Sequence, residues 1–141
     1  MGTWDSGPFD NDTAADFCGG LDDVAAEERE GVIRAALASV TGTEGYLDAE
    51  EAEVAVAAAA LVAAQCPGGD PVRSAYAPEE PLPDLTGLRG PALRAVDRVV
   101  TEPSELLELW EESGAGPWHA MIRRLRSTLL PEPSGEQPRP R

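Results

Sequence analysis

Five side chains able to hold a cation fall between Asp5 and Asp16: Asp5, Asp10, Asn11, Asp12 and Asp16. Carboxylates at this density offer hard oxygen ligands, so Asp10, Asp12 and Asp16 are the candidate metal residues. The spacing is not that of a calcium loop. Counted from Asp10, the sixth position should be Gly and the twelfth Glu, and this chain has Ala15 and Leu21 there. A helix cap from one Asp, a turn at Asp10-Asn11 and solvent for the remainder account for the same residues without a metal. No cofactor is implied.

Other reactive groups are sparse. His119 is the only histidine, which removes two-histidine metal motifs and His-Cys zinc sets. Nothing near it in sequence makes it a general base for Cys18 or Cys66. The two cysteines are too few and too far apart for a disulfide framework, and they read as reduced, buried thiols. The acidic pairs Asp22-Asp23, Glu27-Glu28, Glu50-Glu51 and Glu111-Glu112 are sequence neighbours, so on a helix they diverge by about 100 degrees and form solvated faces. Phosphate loops, nucleophile elbows and dinucleotide fingerprints are missing. Gly2 with Ser6 fits a myristoylation pattern and Asn11-Asp12-Thr13 a glycosylation sequon; both read as coincidence. These residues lean away from catalysis.

Charge is the stronger signal. The 141 residues carry a net charge of −15. Up to Gln65 there are seven Asp and seven Glu against only Arg29 and Arg34, so the acidity is an N-terminal property. Such a field repels phosphate backbones and anionic lipid, which disfavours nucleic acid and membrane surfaces as partners. It attracts basic protein, through Asp16, Asp22, Asp23, Glu27, Glu28 and Glu30. Solubility alone is the simpler use of surplus acid. Every cation is Arg, none Lys, and Ala, Gly and Pro are abundant, a composition typical of high-GC bacterial genomes.

Helical periodicity dominates, so the elements that must position these groups form an all-α, compact single-domain bundle of five to six helices over residues 1–130. Asp10 or Asp12 caps a first helix ending at Gly19-Gly20. A second runs from Leu21 or Asp22 to Val40, with Ile33, Leu37 and Val40 on one face and Asp22, Asp23, Glu27 and Glu28 at its dipole-favoured start. Asp48 caps a third, with Glu51 placed for a reciprocal capping box. From Ala55 to Ala64 that helix is apolar all round, which places it centrally; a small-residue stripe for self-association is the competing use. Six prolines and four glycines make 67–91 a long connection, wrapped over the core by Tyr76, Leu82, Leu85 and Leu88. A fourth helix follows Pro91 with Leu93, Val96 and Val100 on one face. Ser104 caps a fifth with Leu106, Leu107 and Trp110. A sixth sets Trp118, Ile122, Leu125 and Leu129 inward, and 131–141 is a disordered tail. The longest apolar stretch is about half a membrane span. With no leader pattern at Met1, a cytoplasmic protein is expected.

Trp4 and Phe9 bracket Gly7-Pro8 ahead of Asp10-Asn11-Asp12, and they read as pinning the N-terminal turn to the last helices, near Trp110 and Trp118, rather than as a binding hot spot. This opening, together with Ala14-Ala15-Asp16-Phe17, Tyr46-Leu47-Asp48, Ser104-Glu105-Leu106, Leu109-Trp110 and Trp118, resembles the bacterial family known as domain of unknown function 4259. The resemblance implies a small helical protein and carries no catalytic residues. The best-supported expectation is a non-enzymatic acidic module that binds a basic protein, in an immunity, inhibitor or defence-associated role. The alternatives are a small-molecule or metal-assisted enzyme at the Asp cluster, and a self-associating structural subunit.

Overall fold

A computed structural model describes residues 12–66, 82–112, 114 and 116–130. The fold is all-α: α1 (Asp12–Asp23), α2 (Arg29–Thr41), α3 (Ala49–Ala64), α4 (Arg89–Val99), α5 (Glu105–Glu112) and α6 (Gly116–Leu129), with 3-10 turns at Ala26–Glu28 and Thr86–Leu88. Helix α3 is the axis and packs against the other five. Every residue from Ala55 to Ala63 is buried, as a helix without a polar face requires. Its alanines let neighbouring helices approach closely, and the volume is filled by Leu21, Ile33, Leu37, Leu85, Leu88, Val96 and Leu129 from around it. The alanine stripe is therefore covered within a single chain and offers no surface for self-association.

The first helix does not stop at Gly19-Gly20. Cys18 and Leu21 both reach the core with Ala14, so burying Leu21 carries α1 past two glycines that lie on its exposed side. What ends it is Arg29. This side chain, only 7% exposed, donates from Nε to the Leu21 carbonyl at 2.8 Å and from Nη2 to the Val24 carbonyl at 3.0 Å. The positive guanidinium satisfies the acceptors of a helix C-terminus that a glycine cap would otherwise serve. As a result α2 begins at Arg29 rather than at Leu21 or Asp22, and Asp22 and Asp23 lie at the C-terminal end of α1, where the helix dipole is unfavourable. Arg29 supplies the compensating charge.

Three further expectations shift. Asp48 precedes α3 but makes no side-chain cap bond, so the Asp48–Glu51 capping box is not formed; the first amide of the helix, that of Ala49, donates to Glu105 Oε1 at 2.9 Å. The fourth helix starts at Arg89, before Pro91, because proline is tolerated in a first turn whose amides lack helical acceptors. Its buried face is Ala92, Ala95, Val96 and Val99, one residue away from the predicted Leu93–Val96–Val100 stripe; Leu93 and Val100 are half-buried. The predicted 67–91 connection is accordingly shorter: 86–91 is helical, and its packing is seen in Leu85 and Leu88, both buried. Gln65 holds the returning chain, donating to the Pro83 carbonyl at 2.9 Å and accepting from the Leu85 amide at 2.7 Å. Residues 1–11, 67–81 and 131–141, and with them Tyr76 and the tail, lie outside the described residues.

Because Arg29 answers buried carbonyls, Arg29→Ala should lower unfolding stability by about 2 kcal/mol in urea denaturation, the range of charge-assisted hydrogen bonds. Arg34→Ala, which removes only the exposed pair with Glu30, should change it by about 0.5 kcal/mol or less.

Candidate functional site

Two places gather the chemically interesting residues. The first is the outer surface of α1, the 3-10 turn and the start of α2. Asp16, Asp23, Glu27 and Glu28 are exposed there, with Asp22 and Glu30 half-buried beside them. Of the two cations in the first 65 residues, Arg29 is turned inward onto carbonyls, and Arg34 pairs with Glu30 one turn away at 2.7 Å. The fold thus leaves most of this acid facing solvent. The predicted partner-binding residues do lie on consecutive elements of the chain.

The second place is the meeting of the N-terminal ends of α1, α3 and α5. Burial pushes the Glu53 carboxyl above its ordinary value; Thr13, donating a hydrogen bond, works against this, while the negative charges of Glu50, Asp12 and Glu105 add to it. Asp12 and Asp16 are both exposed. Among the described residues, no three His, Cys, Asp or Glu side chains are grouped as a metal would need. Asp10, the other metal candidate, lies outside them, as do Trp4, Gly7, Pro8, Phe9 and Asn11.

The thiols are poorly placed for nucleophilic work. Burial, with Asp22 nearby, pushes Cys18 up to about 12; burial also raises Cys66, against the opposing charge of Arg89. A reactive cysteine needs the reverse shift. His119 is half-buried and packs edge-on to Trp118, with ring centroids 5.2 Å apart. Trp118 is buried and stacks on Trp110 at 5.7 Å with rings 5° from parallel, joining α5 to α6. The two tryptophans serve the core, not an exposed hot spot.

The sequence reading missed Arg98. It stands in the last turn of α4, where a cation is favoured by the dipole, and its guanidinium gathers carbonyls from two loops. Nε donates to Thr43 at 3.0 Å, Nη1 to Thr101 at 2.8 Å, and Nη2 to Gly45 at 2.6 Å and Pro103 at 3.2 Å. Between those loops Leu47 and Ser104 form one parallel bridge, with the Leu47 amide donating to Pro103 and the Glu105 amide to Leu47. Tyr46, next to this clasp, donates from its hydroxyl to Glu108 Oε1 at 2.9 Å. The bond to Glu108, followed by desolvation and nearby carboxylates, raises the phenol to about 12.

A raised carboxyl binds its proton more tightly folded than unfolded. The Glu53 contribution is therefore fully present below the unfolded value and is lost as pH rises through the folded one. Glu53→Gln should raise the unfolding midpoint at pH 7 relative to wild type, with the difference shrinking toward zero once both states protonate, below about pH 4. Urea melts at both pH values check this.

Among the described residues no helix is long and apolar enough to cross a membrane. No curated protein and no solved structure matches the chain. A family match runs over residues 2–120, from the Trp4 motif through α5 and into α6, and on that match the chain belongs to the family described as Domain of unknown function (DUF4259).

Proposed function

We propose that this protein is a non-enzymatic binding module for a basic protein, and that an immunity or inhibitor role is the concrete form of that activity. The observation that supports it is the exposed acid on α1, the 3-10 turn and α2, where Asp16, Asp23, Glu27 and Glu28 all face solvent. A field of this kind accelerates encounter with a cationic surface and rejects like-charged competitors. The raised thiols and the exposure of Asp12 and Asp16 lend the enzyme alternative nothing comparable. The reading places the protein in the cytoplasm with its partner.

The test is affinity capture at low and high salt, followed by kinetics with whatever partner is recovered. Glu27→Arg with Glu28→Arg should cut the association rate at least tenfold at low ionic strength, and the difference from wild type should fade in high salt. Both side chains are exposed, so folding should be intact by circular dichroism. Affinity that is indifferent to salt and to these reversals would contradict the reading.

A further inference from the structure

Tyr46 and Leu109 are large apolar side chains that are 51% and 47% exposed. Tyr46 leads into α3 and is tied through its hydroxyl to Glu108, the residue before Leu109 on α5. On α5, Leu106 and Leu107 turn into the core, whereas Glu108, Leu109, Glu111 and Glu112 face out. Leu109 lies one turn from Glu105 and three residues from Glu112, so on the helix surface it is flanked by carboxylates. Asp48 and Glu105 are close enough to act on the Tyr46 phenol, and Glu44 and Glu102 are exposed on the two clasped loops. The nearby cation, Arg98, is occupied with four carbonyls.

We infer that Tyr46, Glu108 and Leu109 form a preorganised docking surface for a protein segment in which an arginine stands beside a large apolar residue. The proposal rests on the protein-binding reading above and assigns it an apolar anchor on α5 and the chain leading into α3. Three features carry it. The Tyr46 ring is fixed at both ends, by its hydroxyl bond to Glu108 and by the neighbouring Leu47–Ser104 bridge, so little freedom is lost on binding. Its half-exposed face accepts a guanidinium by cation–π stacking. Glu108 uses Oε1 for the tyrosine hydroxyl, and its other oxygen remains available to the same guanidinium, with Glu112 one turn on. Leu109 then receives the adjacent apolar side chain. Charge complementarity selects Arg-bearing segments over acidic ones.

The probe is a phage-displayed library of random dodecapeptides, panned on the full chain with counter-selection on the Tyr46→Ala, Leu109→Ser variant. Enriched peptides should carry Arg next to Leu, Ile, Phe, Trp or Met. As synthetic peptides they should lose at least tenfold in affinity on Tyr46→Ala and severalfold on Glu108→Gln, with Tyr46→Phe intermediate. Both changed side chains of the double variant are exposed, and its circular dichroism and urea midpoint confirm the fold. Peptides that bind wild type and double variant equally would overturn the docking surface. If those peptides instead lose affinity on Glu27→Arg with Glu28→Arg, the acidic-face reading survives without this anchor. Enrichment without the Arg-apolar pattern, or no enrichment, also overturns it.

Discussion

The constraint that governs this molecule is the burial of a helix that has no polar side. From Ala55 to Ala63, α3 presents only apolar groups, so every direction around it must be covered. Ala supplies little volume and little area, which forces the bulky residues onto the surrounding helices and draws those helices close. Ile33 and Leu37 on α2, Val96 and Val99 on α4, and Ile122 and Leu129 on α6 are the answer. The order of packing follows: α1, α2, α4, α5 and α6 all meet α3.

Close packing of short helices multiplies helix ends, and each end carries backbone groups without helical partners. The chain meets many of these with arginine. Arg29 serves the carbonyls after α1, Arg98 those of the α2–α3 and α4–α5 loops, and Arg89 donates to the Thr128 and Leu130 carbonyls at the end of α6. Guanidinium is well suited to this because its planar fork offers several donors and stays charged. Elsewhere arginine pairs with carboxylate, Arg34 with Glu30 and Arg126 with Asp97. Two arginines against fourteen acids still leave the first 65 residues strongly acidic in the folded state.

Much of the fold was legible because it rests on local pattern. The Ile33–Leu37–Val40 stripe, the apolar circumference of α3 and the Trp118–Ile122–Leu125–Leu129 face appear where the spacing puts them. What could not be read were the long-range substitutions for local signals. Gly19-Gly20 looks like a helix stop until Arg29 is seen to cap a later one, and Asp48 looks like the cap of α3, whereas the side-chain bond made at that start is from the Ala49 amide to Glu105, far along the chain. Arg98 gave a weak hint, a cation at a helix C-terminus, but two of its four partners, Thr43 and Gly45, lie in a loop more than fifty residues away. The acidic character of the first half was plain in the sequence; its exposure and the pairing of Tyr46 with Glu108 needed the tertiary fold.

Native-state hydrogen exchange measures the central claim directly, since amides of the most buried element open only with the whole molecule. The amides from Ala55 to Leu61 should exchange last, with opening free energies equal to the global unfolding value in urea. Earlier exchange in α3 than in α2 or α4 would show that the alanine helix is not the axis on which the others depend.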